Sequence, residues 1–380
     1  MLRILFLSIT FIVFSASQSF AFTPPVTTAE EAYILDFETG AILYDKLGNE
    51  KMPTSSMSKV MTMIVVFDAI RSGKIAMEQE LPVSQKAWAM QGSKMFVDIN
   101  TPAKVSDLVR GVIVQSGNDA CIVLAEAIAG TEENFAELMN KKAKEIGMHN
   151  SNFMNASGWP DDNHYSTPHD LALMARYLVQ NYPDEYKIYA EREFTYNNIK
   201  QGNRNPLLYN FSGADGVKTG HTEVAGYGLI GSAVRDGRRV IMVINGTADM
   251  QARADEARKL MDWAFVSFKN IDLAQKGTIY AQAPVVLGQS NEVGLTVANT
   301  VKMTVPTLAQ SGMTLQAKFK APLIAPIKAG DSVGSLIVTI PNLPQQTIPL
   351  VAAANVESKN FFASAFEKLK LRIVGTPVFE

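Results

Sequence analysis

The sequence predicts an α+β protein: an antiparallel sheet with helices, followed by a small all-β domain and a C-terminal amphipathic helix. Three observations carry this prediction. Strand-like segments occur at both ends of the first two thirds of the chain, with helical patterns between them. Beyond about Asn270 the pattern changes to short alternating segments broken by Pro and Gly. The length of 380 residues, 47% of them hydrophobic, is sufficient for at least two domains with buried cores.

The first residues are typical of an export signal. Arg3 precedes an almost unbroken apolar run that ends at Phe14, and small residues follow at Ser19 and Ala21. The apolar run is too short to span a bilayer comfortably. We expect a signal peptide at residues 1–21, with an uncleaved N-terminal anchor as the alternative. In either case the bulk of the chain would work outside the cytoplasm.

The elements of the first domain follow from hydrophobic periodicity and turn residues. In chain order they are a hairpin of Ala32–Asp36 and Ala41–Tyr44, helices from near Ser56 to Arg71 and at Val105–Ile113, Asn118–Ala129, Asn134–Ile146 and His169–Asn181, a hairpin of Tyr227–Ala233 and Arg239–Ile244, and a helix at Met250–Phe265. We expect the two hairpins to share one antiparallel sheet in a domain at residues 27–268.

Two further units are expected after this domain. The alternating segments predict an all-β domain at residues 274–356, which contains no His, no Cys and no clustered acids, so no chemistry is assigned to it. In residues 359–375, Phe361, Phe362 and other apolar residues share one helical face, with basic residues elsewhere. This pattern favours an interfacial membrane anchor. A helix packed on its own β domain is the alternative.

Charge and composition exclude several functions. The chain has 35 Lys and Arg against 37 Asp and Glu, so we expect no nucleic-acid partner. Cys121 is the only cysteine, which excludes an intrachain disulfide and a thiolate-rich metal site. His149, His164 and His169 are too widely spaced for a metal site and are assigned to loop polarity or capping. We therefore expect neither a metal nor an organic cofactor.

The first candidate site element is Ser56-Met57-Ser58-Lys59, the only Ser-x-x-Lys sequence in the chain. One helical turn separates Ser56 from Lys59, so the Lys59 amine can approach the Ser56 hydroxyl. Burial would lower the pKa of the amine, and a neutral amine can accept the serine proton. A helix N-terminus also supplies free N–H groups for an oxyanion. A capping Ser before a surface Lys is the alternative.

The second element is Ser116-Gly117-Asn118, between two predicted helices. Ser116 could pass a proton between a nucleophile, a lysine and a leaving amine, and the Asn118 amide could hold a substrate carbonyl. Taken alone, an ordinary capping turn explains these residues equally well.

The third element is Lys218-Thr219-Gly220-His221, on a predicted strand. Such a strand can bind an extended peptide by strand addition and hold its terminal carboxylate with the ammonium and the hydroxyl, while Gly220 permits close backbone approach. The alternative is an edge strand on which Lys218 only prevents aggregation.

These three elements, in this order, resemble those of the low-molecular-mass penicillin-binding proteins, specifically the D-alanyl-D-alanine carboxypeptidases of the type 5/6 group. The resemblance covers essentially the whole mature chain, including the β domain and the tail. The further segments that carry it are Glu185-Tyr186, Phe194-Thr195, Gln201–Asn205, Asp215–Thr222, Ala225–Tyr227 and Asn360–Phe362. It implies a β-lactamase/transpeptidase-like fold for the first domain. The middle element reads Ser-Gly-Asn, which favours this group over class A β-lactamases.

The resemblance also implies residue roles. Ser56 would be the acylated nucleophile, Lys59 its proton acceptor and Ser116 a proton relay. The backbone N–H groups of Ser56 and His221 would form the oxyanion hole. Further residues are implied to bind substrate: Asn118, Lys218, Thr219, Gly220, His221 and, as carboxylate helpers, Arg204 and Arg253.

The implied function is removal of the terminal D-alanine from peptidoglycan pentapeptides, with β-lactam antibiotics as covalent inhibitors of Ser56. The implied location is the periplasm, with the terminal helix attached to the outer face of the cytoplasmic membrane.

Three alternatives to this function stay open. A class A β-lactamase would need a glutamate for deacylation, commonly in Glu-x-x-Leu-Asn, and the chain has no Leu-Asn dipeptide. A DD-endopeptidase would use the same residues, and a non-hydrolytic module could bind cell-wall peptides through the strand at Lys218.

Overall fold

The computed structural model describes residues 24–307, 312–341, 343–362 and 365–366. The predicted signal peptide at residues 1–21 and most of the predicted tail helix at 359–375 lie outside these residues. Among the described residues, no helix has both the length and the apolar character needed to cross a membrane.

The first unit is built on a five-stranded antiparallel sheet with strand order β2-β1-β9-β8-β7. In chain order, the strands of the first unit are β1 Glu31–Asp36, β2 Ile42–Lys46, β3 Glu80–Leu81, β4 Ala103–Lys104, β5 Glu193–Tyr196, β6 Ile199–Gly202, β7 Ala214–Thr222, β8 Gly226–Arg235 and β9 Arg238–Thr247. Short two-stranded pairs, β3 with β4 and β5 with β6, lie outside the main sheet. The expectation that the two hairpins share one sheet is confirmed, and β7 occupies its edge.

Helices cover both faces of this sheet. They are α1 Lys59–Arg71, α2 Gln85–Ala89, α3 Val105–Ile113, α4 Asn118–Ala129, α5 Glu132–Glu145, α6 Pro168–Asn181, α7 Leu207–Asn210 and α8 Met250–Ser267. Along β9, Ile241 and Val243 pack into the core with α1, α3, α4 and α6. Met242 and Ile244 point to the opposite face and pack against α8. The two-residue period of a strand therefore divides β9 between two cores.

The second unit is all β, as predicted. Its strands are β10 Phe268–Ala274, β11 Ala281–Val286, β12 Glu292–Val297, β13 Val301–Pro306, β14 Thr314–Phe319, β15 Leu323–Ile324, β16 Ser332–Thr339 and β17 Gln346–Ala352. Six of them form a sheet of order β14-β16-β17-β12-β11-β15, and β10 pairs with β13. Its core, which includes Leu295, Leu336 and Leu350, is separate from those of the first unit.

Candidate active site

The first element lies at the entrance to α1. The structure places Ser55–Ser58 in a 3₁₀ turn, and the α-helix begins only at Lys59, so the expected helix start near Ser56 is corrected to this tighter turn. Ser55, Met57 and Ser58 are buried, whereas Ser56 is partly exposed. Ser56 is therefore the one residue of this turn that is not buried.

Lys59 is almost completely buried, with an exposed fraction of 1%. Its Nζ atom lies 2.7 Å from Ser56 Oγ, 2.8 Å from Asn118 Oδ1 and 2.6 Å from the carbonyl oxygen of Ser157. Burial lowers the pKa of the Lys59 ammonium from 10.5 to about 8, and the positive charge of Arg204 acts in the same direction. A substantial fraction of this amine is therefore neutral near physiological pH.

The second element lies where the chain enters α4. Asn118 is the first residue of that helix, and its side chain is fixed at both ends: Nδ2 donates to the Gln91 carbonyl at 2.8 Å while Oδ1 faces Lys59. Ser116 has a left-handed backbone with φ of 62° and is buried. Its Oγ atom has no hydrogen-bond partner within the described part of the chain. A buried hydroxyl without a partner retains the capacity to accept or donate a proton.

The third element lies on the edge strand β7. Lys218 and Thr219 are buried, whereas His221 is exposed and stacks on Tyr227 with 3.9 Å between ring centroids. Burial lowers the pKa of Lys218 well below 10.5, with the charge of Lys59 as the next cause. Gly220 permits β7 to approach the nucleophile turn, since a Cβ atom there would lie 3.0 Å from the Thr54 carbonyl oxygen.

Two arginines add positive charge to the same region. Arg204 Nη1 donates to Ser93 Oγ at 2.6 Å, and Arg253 Nη2 lies 3.5 Å from the Arg204 carbonyl oxygen. Arg253 is buried, and its Nε atom has no hydrogen-bond partner among the described residues. Burial lowers the pKa of Arg253 to about 10, so its guanidinium stays charged at neutral pH.

The three elements meet at one cleft of about 430 Å³. Ser56, Asn118, Arg204 and His221 line it directly. Lys59 is joined to the cleft through its contact with Ser56. The positive charge of Arg253 is among the causes that lower the pKa of Lys218. A partly exposed serine hydroxyl, a buried amine of lowered pKa and a cluster of cations are therefore gathered in one place, an arrangement that suits acyl transfer from a substrate with a carboxylate.

Sequence reasoning missed the loop that carries Ser157. Asn155 Oδ1 accepts hydrogen bonds from the backbone N–H groups of Ser157, Gly158 and Trp159 at 3.2, 2.8 and 2.9 Å. At Gly158, φ is +75° and a Cβ atom would lie 1.8 Å from the Ser55 carbonyl oxygen, so this loop packs directly on the nucleophile turn. The Asn-x-Ser-Gly sequence signals a turn, but nothing in it marks the carbonyl that binds Lys59.

His164 differs from its expected role in loop polarity or capping. It is buried, with an exposed fraction of 4%. The Met154 N–H donates to Nδ1 at 3.2 Å, so the proton of the neutral ring is assigned to Nε2, which lies 2.7 Å from Ser58 Oγ. His164 therefore connects the 154–164 loop to the Ser-x-x-Lys turn.

Within the described residues, no group of three or more His, Cys, Asp or Glu side chains could hold a metal ion.

Comparison with known proteins gives a consistent result. Residues 18–249 match the family model described as D-alanyl-D-alanine carboxypeptidase, peptidase family S11, and residues 268–358 match the model of the penicillin-binding protein 5 C-terminal domain. The chain is 35% identical to D-alanyl-D-alanine carboxypeptidase DacA of Haemophilus influenzae, over 96% of this chain and 94% of the relative. It is 33% identical to DacA of Escherichia coli, over 91% and 88%.

Solved structures agree with these sequence matches. Penicillin-binding protein 5 of Haemophilus influenzae superposes with a TM-score of 0.79 at 36% identity, covering 88% of this chain and 99% of that one. Penicillin-binding protein D2 of Listeria monocytogenes, in its ampicillin-bound form, gives 0.59 at 29% identity, covering 64% and 100%. The chain therefore belongs to the D-alanyl-D-alanine carboxypeptidase family. The resemblance inferred from the motifs is confirmed, and so is the pairing of an α/β catalytic domain with a C-terminal β domain.

Proposed function

We propose that this D-alanyl-D-alanine carboxypeptidase removes the terminal D-alanine of peptidoglycan pentapeptides through an acyl-enzyme on Ser56. The observation that carries the proposal is the environment of Lys59, a buried amine of lowered pKa 2.7 Å from the Ser56 hydroxyl. The family membership supplies the substrate class, and the arrangement of side chains supplies the roles below.

The contacts of Lys59 favour its action as a base. The Asn118 amide oxygen and the Ser157 carbonyl can only accept hydrogen bonds, whereas the Ser56 hydroxyl can also donate one. A neutral amine has two N–H groups and one lone pair. When its two N–H groups are directed to the two carbonyl oxygens, the lone pair faces the Ser56 proton. The site thus orients neutral Lys59 for proton abstraction.

The reaction then proceeds by two acyl transfers. Ser56 Oγ attacks the carbonyl carbon of the penultimate D-alanine while its proton passes to Lys59, and the negative oxygen is held by the N–H groups of Ser56 and His221. The C–N bond breaks as a proton passes through Ser116 to the departing amine. Water then attacks the ester, its proton returns through Lys59 to Ser56 Oγ, and the shortened peptide leaves.

The cations serve the substrate's terminal carboxylate. Lys218, Thr219, Arg204 and Arg253 form the group assigned to this carboxylate, while Gly220 allows the peptide close to β7. Asn118 binds a substrate carbonyl in addition to its contact with Lys59. An arriving negative charge favours the protonated form of Lys218, which burial and its cationic neighbours disfavour in the free enzyme. The negative carboxylate of the substrate therefore offsets part of the positive charge in the cleft.

β-Lactam antibiotics act here as covalent inhibitors that acylate Ser56. Structures of the Listeria monocytogenes relative in ampicillin-bound and cefotaxime-bound forms support this proposal.

A β-lactamase is not favoured, because the chain lacks the Leu-Asn dipeptide of the usual deacylation motif and its relatives are named carboxypeptidases. A DD-endopeptidase would use the same residues, so relative rates on cross-linked and linear peptides separate the two activities.

The remaining assignments concern location and domain roles. The apolar N-terminal run and the substrate support export to the periplasm. The catalytic domain is assigned to residues 27–268 and the β domain to residues 274–356. The segment at 359–375 is assigned to peripheral attachment at the outer face of the cytoplasmic membrane, since Phe361 and Phe362 are 80% and 83% exposed.

The test is release of D-alanine from a diacyl-Lys-D-Ala-D-Ala peptide, together with mass spectrometry after penicillin treatment. We expect wild type to release D-alanine and to carry a penicilloyl adduct on the tryptic peptide Met52–Lys59. Ser56→Ala should lose both, and the neighbouring Ser55→Ala serves as a check on the site of modification. Equal, slow release by wild type and Ser56→Ala would refute the proposal, as would an adduct on another peptide.

A further inference from the structure

The pairing of β7 with β8 contains a one-residue irregularity near the start of β7. Ala214 lies opposite Ala233 of β8. Gly216, two residues later in β7, lies opposite Ser232, which is only one residue earlier in β8. Asp215 therefore has no partner in the pairing of the two strands. Such an extra residue forms a β-bulge, and the side chains that follow a bulge take their direction from it.

Beyond the bulge, the register sets the face of the sheet on which Lys218 lies. Lys218 is opposite Ile230, whose side chain packs in the core that contains α1. Residues directly opposite each other share a face, so Lys218 lies on the side of α1, where Lys59 is found. The neighbouring Leu229 packs on the other face, against α8. A slip of one residue would therefore move the Lys218 side chain away from Lys59.

Three side chains hold the bulge, and we call Asp215, Tyr186 and Arg239 the bulge cluster. Arg239 Nη1, on β9, lies 2.7 and 2.8 Å from the two carboxylate oxygens of Asp215. The same nitrogen donates to Ser232 Oγ at 2.6 Å. The Tyr186 hydroxyl donates to Asp215 Oδ1 at 2.9 Å. Arg239 therefore joins Asp215 of β7 to the position of β8 at which the register changes.

The bulge cluster is closely packed. Tyr186 is buried, and its ring stacks on Tyr189 with 5.5 Å between centroids. A Cβ atom at Gly216 would lie 2.5 Å from the Tyr186 hydroxyl, so β7 passes directly over this group. Burial raises the pKa of Tyr186 well above 10, so the hydroxyl keeps its proton and donates at neutral pH. The side chains of Arg239 and Asp215 are 16% and 27% exposed, so water only partly screens their ion pair.

We propose that the bulge cluster positions Lys218. By holding Asp215 out of the strand pairing, the cluster fixes the register that presents the Lys218 ammonium to the terminal carboxylate of the substrate. The three residues of the cluster do not line the cleft, so they act on Lys218 through β7. This inference rests on the proposed carboxypeptidase function and names the residues that orient its carboxylate-binding lysine.

The test measures how strongly the enzyme prefers a substrate with a free terminal carboxylate. Two peptides are compared by kcat/KM: Nα,Nε-diacetyl-Lys-D-Ala-D-Ala and the same peptide with a C-terminal carboxamide, which keeps the bond to be broken and lacks the charge. The measured products are D-alanine and D-alaninamide. Both peptides are assayed on one preparation, so the acid-to-amide ratio of kcat/KM does not depend on the folded fraction of a variant.

We expect wild type to prefer the acid. Asp215→Ala should lower the acid-to-amide ratio about tenfold, because the ammonium no longer faces the carboxylate. Tyr186→Phe is a milder change that removes one hydrogen bond to Asp215, and it should lower the ratio about threefold. Asp215→Glu keeps a carboxylate for Arg239 and should retain a higher ratio than Asp215→Ala.

Two further measurements separate positioning from stability. Arg235 and Asp262 form an ion pair of 2.9 Å between β8 and α8, so Asp262→Ala removes a comparable contact and should leave the ratio unchanged. A crystal structure of Asp215→Ala gives a readout that does not depend on hydrolysis. In it the Lys218 ammonium should be displaced by at least about 1 Å, enough to disturb its contact with a carboxylate.

The outcomes distinguish this inference from the proposed function. If Asp215→Ala has a lower melting temperature but keeps the wild-type ratio and the wild-type position of Lys218, the cluster only stabilises the fold and the proposal is wrong. If wild type hydrolyses acid and amide equally well, Lys218 does not bind the carboxylate; the inference is then wrong while the carboxypeptidase activity stands. If wild type hydrolyses neither peptide, the proposed function fails, and an undisplaced Lys218 in the Asp215→Ala structure would refute the positioning role separately.

Discussion

At Lys59, burial lowers the pKa of a single amine, which supports its proposed role as a base. Within the catalytic domain its ammonium exchanges water for one hydroxyl and two carbonyl oxygens, and the loss of water lowers its pKa to about 8. Cys121, three residues after Asn118, is affected in the opposite sense, since burial raises the pKa of its thiol to about 12. These opposite shifts support the proposed assignment of reactivity to the Ser56–Lys59 pair and not to the cysteine.

The first prediction concerns the pH dependence of acylation. Only neutral Lys59 accepts the Ser56 proton, and its neutral fraction increases as pH rises through a pKa of about 8. The second-order rate constant for acylation by a fluorescent penicillin should rise about tenfold per pH unit below this value and level off above it. Stopped-flow measurements with a fluorescent penicillin between pH 5 and pH 10 test this. A flat profile across pH 6–8 would show that another group limits the step.

His164 is the second residue whose protonation is tied to its contacts. In the neutral ring, Nδ1 accepts a hydrogen bond from the Met154 N–H, while Nε2–H donates to the Ser58 hydroxyl. The Ser58 hydroxyl in turn lies 2.5 Å from the Thr54 hydroxyl. Burial lowers the pKa of His164 from 6.5 to about 4. Protonation would place a second donor opposite the Met154 N–H, so the folded protein retains the neutral form.

The second prediction follows from this difference in pKa. Between pH 6.5 and pH 4 the unfolded chain binds a proton at His164 and the folded chain does not, so the free energy of unfolding decreases as pH falls. The loss from this group approaches about 1.4 kcal/mol per pH unit. Urea unfolding at pH 7 and pH 4.5 should show a smaller loss in His164→Gln, which keeps a donor for Ser58, than in wild type. His149→Gln, at an exposed position, should behave as wild type does.

At the scale of elements, the segment 91–97 is held by the first turn of α4. Asp119, which is fully buried, accepts backbone N–H groups of Met95, Phe96 and Val97 at 2.9, 2.8 and 3.2 Å. The same segment supplies the Gln91 carbonyl that fixes the Asn118 amide. Asp119 is therefore a positioning residue, since it holds the segment that orients the partner of Lys59.

The third prediction concerns Asp119→Asn. An amide has one acceptor oxygen, so part of the 95–97 backbone loses its partner and the segment loosens; the acylation rate constant should fall about tenfold. Loss of the negative charge also lowers the pKa of Lys59, so the midpoint of the pH profile should move to lower pH. Asp36→Asn is the matched control, because Asp36 is equally buried and accepts N–H groups at the far side of the sheet. A variant with lower stability but an unchanged rate and midpoint would contradict the positioning role.

Long elements were predictable from the sequence because local signals agree there. Val105–Ile113 and Asn118–Ala129 were predicted with the bounds that the structure has, since each combines helical periodicity with clear ends. The β5–β6 hairpin and helix α2 were not predicted, because short elements depend on tertiary contacts. The motif residues were identified by type and order. The Ser157 carbonyl was not, because a backbone carbonyl carries no side-chain signature.

At the scale of the whole molecule, the sheet separates catalysis from the second domain. The second unit contacts the end of β1 and the segment that follows it: Asn270 Nδ2 donates to Asp36 Oδ1 at 3.1 Å, and Lys302 pairs with Glu38 at 2.7 Å. Strand β1 lies three strands away from β7 in the sheet order. The β domain therefore leaves the edge of β7 accessible to an extended peptide, and the chain continues through it towards the tail.

The fourth prediction concerns that tail. Phe361, Phe362 and Phe366 are 80%, 83% and 74% exposed, and transfer of such rings to a lipid interface is favourable by about 1 kcal/mol or more each. The mature chain should float with vesicles of phosphatidylethanolamine and phosphatidylglycerol, and Phe361→Ser with Phe362→Ser should reduce the bound fraction at least tenfold in partition coefficient. D-alanine release from a soluble tripeptide should not change, because the tail is remote from the cleft in sequence and domain.

The control for this experiment is loss of exposed apolar surface elsewhere. Val266→Ser with Ile324→Ser removes side chains that are 73% and 66% exposed and should leave flotation unchanged. A chain ending before Lys359 should remain in the aqueous fraction. If it floats as well as the full mature chain, the tail is not the anchor and the aromatic residues serve another contact. If only the charged lipid is needed and the Phe variants bind normally, the basic residues of the tail carry attachment and the assigned apolar contribution is wrong.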